Sequence, residues 1–184
     1  MILGLDIATK TGWALCENSR FSGIRTGSFK CDGETAEEKA RALAVHLIAL
    51  IKREGVPKLA VIEQPQRNVQ PHKKAPSKLF PDMEMGMTIN AATALQLNQL
   101  VGSAIGVLTG YGVPYRTVAV ATWRKGFFPA GQRGVDRQDW KKMAKRQCEL
   151  LRIPVGNADE AEAVGIAVYG WGIWKRMEME KISA

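Results

Sequence analysis

The sequence predicts one α/β domain with the element order β-β-β-α-β-α-β-α-α. Two short runs, ILGLDIA at 2–8 and LAVIE at 59–63, are almost wholly apolar, as strands covered on both faces are. Between and after them lie longer stretches whose apolar residues recur at helical spacing. The 184 residues suit a single unit, since about 100–200 residues per domain is usual, and neither a repeat nor a linker interrupts them. Strands that open as a hairpin pair and then alternate with helices imply an antiparallel start followed by crossovers.

The first strand is 2–8, broken only by Gly4 and Asp6. A turn at Thr9–Gly12, loosened by Gly12, leads to a second strand at Trp13–Cys16, and Gly27–Phe29 makes a third. Thr35 followed by Glu38 forms a capping box, so a helix runs from Ala36 to Glu54 with Ala36, Ala40, Leu43, Leu47 and Leu50 on its apolar stripe. Gly55–Pro57 ends it, and 59–63 follows as a central strand. Four prolines, Pro65, Pro71, Pro76 and Pro81, make 64–82 a long excursion of the kind that often carries function. The uncharged stretch 88–109 reads as a helix whose small residues, Gly102 and Gly106 among them, allow close contact with the sheet or a second subunit. Met83, Met85 and Met87 before it read as hinge or core filling. Pro114–Ala119 is the last strand, and 124–134 a glycine-containing loop with Phe127, Phe128 and Pro129. Asp136 caps a basic helix through Arg152, with Trp140, Ala144, Gln147 and Leu151 on one face. A final helix spans about 158–177.

Composition narrows the function. Lys and Arg number 26 against 18 Asp and Glu, a formal charge of +8, with 46% hydrophobic residues. That balance suits a folded core rather than a disordered tail. Apolar runs are short enough that no membrane span is expected. The opening MILGLDIAT lacks the basic segment of a secretory leader, and Cys16, Cys31 and Cys148 supply neither a disulfide framework nor a zinc site. From these features the protein is expected inside a cell, in a cytoplasm or, after removal of a targeting segment, in an organelle matrix. The charge surplus is local: residues 64–82 hold four basic and one acidic side chain, and 116–152 hold ten against three. A concentrated basic footprint beside balanced regions points to nucleic acid, with a lysine-rich soluble face as the plain alternative.

Four acids stand out against this background. Asp6 interrupts the first strand and Glu63 ends the fourth, and a charge in an apolar strand is costly unless paired or metal-bound. Asp159 and Glu162 are three apart at the start of the last helix, on a shared face. Asn157 is the N-cap there, with Glu160 at N3. Taken singly, Asp159 reads as first-turn capping, Glu162 as solvent-facing and Glu63 as a strand end; Asp6 resists such an account. Taken together, adjacent first and fourth strands crossed by the last helix would gather all four. Carboxylates without His or Cys select Mg²⁺ or Mn²⁺, and a pair of such ions about 3.5–4 Å apart can cleave a phosphodiester.

In its motifs the chain resembles the RNase H-like nucleases, specifically the RuvC-type Holliday junction resolvases, and the phage versions more than the cellular ones. LGLDIATKTGWA at 3–14, VIEQP at 61–65 and NADEAEAVGIAVYGW at 157–171 carry the likeness. It implies a mixed five-stranded sheet with helices on both faces, with a basic insertion at about 64–85. It implies Asp6, Glu63, Asp159 and Glu162 as catalytic metal ligands for two Mg²⁺ ions per site, Mn²⁺ substituting. Glu162 stands where the family usually has aspartate, and Gln66 where cellular members often have an aromatic. A catalytic basic residue on the penultimate helix falls at Lys141 or Lys142. The implied activity is structure-selective hydrolysis of branched DNA, four-way junctions above all, by a homodimer.

DNA contacts are expected from Lys73, Lys74 and Lys78 in the insertion, from Arg124, Lys125, Phe127, Phe128 and Arg133 after the last strand, and from Lys141, Lys142 and Lys145 on the basic helix. A core position is the competing reading for both phenylalanines. Two other functions remain open at this level: a less selective flap or RNA–DNA hybrid nuclease, and a catalytically weak junction-binding protein. An ATPase also opens on a Gly-x-Asp strand, but the later glycine-rich phosphate motif is missing.

Overall fold

The structure, a computed structural model, describes residues 1–17, 23–65, 71–72, 86–87, 91–129 and 136–182. Five strands form one mixed sheet: β1 (Ile2–Asp6), β2 (Lys10–Cys16), β3 (Arg25–Lys30), β4 (Leu59–Glu63) and a last strand, Tyr115–Val118. A separate two-residue ladder pairs β5 (Pro71–His72) with β6 (Gly86–Met87), which makes Tyr115–Val118 β7. The main sheet is ordered β3-β2-β1-β4-β7. Hairpin pairing makes β1–β2 and β2–β3 antiparallel, while the crossovers make β1–β4 and β4–β7 parallel.

Side-chain alternation along the strands divides the core in two. Leu3, Leu5, Ile7, Ala60 and Ile62 meet α1 (Ala36–Glu54) and α2 (Ala91–Gly110). The alternate positions Ile2, Leu59 and Val61 meet α3 (Val120–Phe127), α4 (Arg137–Leu150) and α5 (Ala158–Ile182). Helices thus cover both faces, as the α/β reading requires. The capping box at Thr35 and Glu38 is formed, with both reciprocal hydrogen bonds in place.

Several expectations are corrected. Residues 120–127 are helical, whereas the sequence reading placed a loop from 124. The α3 N-cap, Ala119, makes no side-chain capping bond, and the helix is held instead by burial of Trp123 and Phe127 one turn apart. Gly12 lies inside β2, which begins at Lys10, rather than in a turn. The buried face of α4 is Ala144 and Cys148 with Trp140 and Met143 against them, while Leu151 is exposed. Finally, α2 is long and apolar enough to cross a membrane by length and composition, contrary to expectation. Here Leu100, Val101, Ala104 and Leu108 pack into the α1-side core, and Ser103 Oγ donates to the Ala40 carbonyl of α1.

Helix α4 ends with Arg152 in the left-handed region, φ 57°. The Ile153 amide donates to the Cys148 carbonyl and the Arg152 amide to that of Glu149, the Schellman pattern in which glycine is the favoured residue. Arg152→Gly should therefore stabilise the protein by about 1 kcal/mol, since a side chain costs roughly 1–2 kcal/mol in that conformation. A melting temperature about 2–4 °C higher is the expected reading at this chain size.

Candidate metal centre

Alternation along β1 and β4 sets the site. Ile2 and Leu59 are partners, so the neighbouring parallel strands keep Asp6 and Glu63 abreast on the α5 side, where they end the strands. Two glycines let α5 descend onto that face. A Cβ at Gly4 would lie 2.5 Å from the Ala163 carbonyl oxygen and the Ala167 nitrogen, and one at Gly12 would overlap the Asp159 carbonyl. Gly12 is the direct partner of Asp6 across the β1–β2 pair. The first turn of α5 therefore settles beside Asp6.

That turn is anchored by Asn157 and Glu160. Asn157 Oδ1 accepts from the Asp159 and Glu160 amides, as the capping reading anticipated. The buried Glu160 carboxylate accepts from the Gly156 amide at 2.7 Å, Asn157 Nδ2 at 2.6 Å and Ser28 Oγ at 3.0 Å. Thr26 Oγ1 adds a longer bond at 3.4 Å. Glu160, which sequence reasoning treated only as a capping residue, ties the helix start to β3.

Asp6, Asp159 and Glu162 bring carboxylate oxygens within 4.8 Å of one another. They share a cleft of about 300 Å³ with Glu63, Gln64, Arg124 and Lys141. Glu63 stands at its wall, where one oxygen accepts from Trp123 Nε1 at 2.8 Å. Burial, followed by the charges of Glu63, Glu162 and Asp159, raises the Asp6 carboxyl well above the usual carboxylate range, against a smaller opposing pull from Lys141. Such a cluster is tolerated where cations neutralise it. Lys141 Nζ lies 2.6 Å from Asp159 Oδ1, and Arg124 Nη2 lies 2.9 Å from Glu162 Oε1. Burial lowers the Lys141 ammonium, but the hydrogen bond and charge of Asp159, with Glu162 and Asp6 behind, outweigh it and hold the group above the ordinary lysine value. The Arg124 guanidinium is stacked between Trp123 and Trp140, 5.4 and 4.8 Å from their ring centres.

The donor set fits a hard divalent cation: several carboxylate oxygens, no sulfur or imidazole in the triad, and an acid that burial and then its like-charged neighbours hold above its usual range. Asp6, Asp159 and Glu162 would hold the ion, with Glu63 beside them.

The remaining sequence candidates separate. Lys142 projects to the surface and pairs with Asp139, so of the two adjacent lysines only Lys141 reaches the cleft. Lys125 and Lys145 are exposed. Phe127 and Phe128 are buried beside Trp123 and Trp140, so they pack the core instead of offering faces to bases. Lys73, Lys74, Lys78 and Arg133 lie outside the described residues, as do Met83 and Met85. Trp123 was not singled out by the sequence reading. Its clue was only a large aromatic one residue before Arg124.

No family model and no curated protein matches the chain. Solved structures do. RuvC of Thermus thermophilus in complex with a Holliday junction substrate superposes with a TM-score of 0.63 at 15% identity, covering 96% of this chain and 94% of that one. A second Thermus thermophilus RuvC structure gives 0.61 at 15% identity, with 96% of both chains covered. The chain has the fold of RuvC. The likeness extends over nearly its whole length, the RNase H-like sheet and both helical layers included.

Proposed function

We propose that this protein is a divalent-metal-dependent endodeoxyribonuclease that hydrolyses phosphodiester bonds in branched DNA, four-way junctions foremost. The observation that carries the reading is the carboxylate triad of Asp6, Asp159 and Glu162, set in a cleft with two cationic side chains on a RuvC-like fold. An ion bound there, Mg²⁺ by preference, lowers the pKa of water and offsets the charge that builds on a reacting phosphate. The chain's own groups do the rest. Asp6 and Glu63 are placed by the sheet and Asp159 and Glu162 by α5, so the ligands are in position without a loop having to order. Arg124 and Lys141 set positive charge on the cleft wall, where a backbone phosphate would otherwise meet only acids.

The exposed lysines Lys125, Lys142 and Lys145 add phosphate-binding charge on the described surface, and the sequence supplies further DNA-contact candidates in Lys73, Lys74 and Lys78 of the basic insertion. The proline-rich, basic composition of that insertion is what supports a phage-type over a cellular-type resolvase. A homodimer, which places one cleft on each of two opposed strands, is favoured by the outer face of α2. It is uncharged, exposes Leu95 at 68%, and leaves Gly102 and Gly106 open.

The test is to incubate the protein with labelled four-way, Y-shaped and linear DNA and with an RNA–DNA hybrid, with and without Mg²⁺ or Mn²⁺. Metal-dependent paired nicks in the four-way junction are expected, from a species whose mass by light scattering is twice 20.2 kDa. Equal cutting of every branched form, or a preference for the hybrid, selects a broader nuclease. Tight junction binding without turnover selects a binding protein.

A further inference from the structure

The cleft has two unlike walls. One carries the charge: Asp6 and Glu63 come from the strand ends, and Arg124, Lys141, Asp159 and Glu162 from the helices on the α5 side. The other is apolar, built by Ile7, Ala8, Pro65 and Leu97. Among the described residues its one polar side chain is Gln64.

Strand alternation makes this division. In β4 the Ile62 side chain is buried in the core against α1 and α2, and Glu63 turns to the α5 side, where it accepts from Trp123 Nε1. Gln64 comes next. Its backbone amide donates to the Val118 carbonyl at 2.8 Å, which carries the β4–β7 pairing one residue past the strand. Pro65 after it holds Gln64 in the extended region, so its side chain returns to the face of Ile7 and Leu97. The preceding side chains on that face, Ala60 and Ile62, are apolar and fully buried. Gln64 is half-buried, and no described residue hydrogen-bonds its side-chain amide.

A phosphodiester drawn to the charged wall brings a sugar and a base with it. The cleft of about 300 Å³ lies at the small end of ligand sites and has room for a single nucleotide unit. A glutamine amide sets a donor beside an acceptor, the complement of one edge of adenine: Nε2–H donates to N7, and Oε1 accepts from the N6 amino group. Guanine presents two acceptors along the same edge, so it satisfies only half of the amide.

We propose that Gln64 is a specificity-determining residue, reading adenine at the nucleotide next to the cut phosphate while Ile7, Ala8, Pro65 and Leu97 pack against that nucleotide. The proposal rests on the nuclease reading and deepens it, from branched DNA to one preferred base at the cut. The two walls then have separate tasks. The charged one handles the phosphate, which is alike in every nucleotide, and the apolar one handles the part that differs.

The test uses the full-length protein with Mg²⁺ and four-way junctions that carry every base at the positions flanking the branch point. The cut ends are sequenced, and base counts are compared within each variant, so that a general loss of rate drops out. In wild type, adenine should be enriched about tenfold at one position beside the cut, as a bidentate contact provides. Gln64→Leu should bring the four bases to within about twofold of one another, having neither donor nor acceptor. Gln64→Glu should move the enrichment to cytosine, whose N4 amino group donates to a carboxylate. If Gln64→Leu fails to fold, Gln64→Met takes its place. Even base counts in wild type, a different preferred base, or an adenine enrichment that survives Gln64→Leu or Gln64→Glu would overturn the proposal and leave the nuclease standing. No cutting of any junction by wild type would overturn both.

Discussion

Asp6→Asn should slow cleavage about a thousandfold and at the same time make the ion-free protein more stable. The loss of activity follows from the position of Asp6 within the triad, its oxygen within 4.8 Å of those of Asp159 and Glu162. A metal ion contributes several kcal/mol of transition-state charge stabilisation. Losing about 4 kcal/mol of it slows the reaction roughly a thousandfold, each 1.36 kcal/mol being tenfold. The stability gain follows from burial and from the charges of Glu63, Glu162 and Asp159, which hold the Asp6 carboxyl well above its usual range. The folded protein therefore binds that proton more tightly than the unfolded chain, whose aspartate titrates near 3.9. Stability must fall as pH rises from about that value through the higher folded one, and stay lowered beyond it. Asparagine removes this slope. Melting curves in a chelating buffer should show the variant above wild type at pH 8 and the gap closing toward pH 4. Added Mg²⁺ should raise the wild-type melting temperature and leave the variant unmoved. Equal melting at both pH values, or metal-dependent cutting at the wild-type rate, would remove Asp6 from the centre.

Gly12→Ala is expected to be the most damaging single added methyl group among the described glycines. The residue lies in ordinary strand backbone, so alanine carries no conformational strain there. Its cost is steric: the new Cβ would overlap the Asp159 carbonyl and sit 2.9 Å from the Glu160 nitrogen. Both are backbone atoms in a turn tethered through Glu160 to Ser28, so neither can swing aside. Overpacking of this kind costs about 1–3 kcal/mol, which at roughly 2–4 °C per kcal/mol lowers the melting temperature by up to about 12 °C. The same displacement lifts Asp159 away from Asp6, so Mn²⁺ affinity should fall as well. A variant that melts and binds as wild type does would show that α5 is free to ride higher on the sheet.

Much of the site was legible because it depends on periodicities. A period of two along β1 and β4 places Asp6 and Glu63 on one face, and a spacing of three places Asp159 and Glu162 on one side of α5. The capping box at Thr35 and Glu38 likewise marked α1 at both its start and its sense. What stayed hidden depended on packing between elements distant in sequence. Lys141 and Lys142 differ by one helical step, and only the burial of Ala144 and Cys148 decides which faces the acids. Helix α3 lacks a side-chain cap and exists because Trp123 and Phe127 are buried. The same burial withdraws Phe127 and Phe128 from any stacking role. Glu160 looked like a capping glutamate, and its reach to Ser28 and Thr26 required the fold to bring β3 under α5.

The Glu160 tether also fixes how the carboxylate cluster would respond to gaining or losing an ion. The first turn of α5 is held by neutral hydroxyls, an amide side chain and a backbone N–H, none of which belongs to the ion's own ligands. The repulsion among the acids is thus met by folding itself, and ion binding has no chain to organise. Small zinc domains behave oppositely, collapsing when their metal is withdrawn. Here chelation should empty the centre and leave a cooperatively folded protein, ready to be reloaded within the time an ion takes to diffuse in.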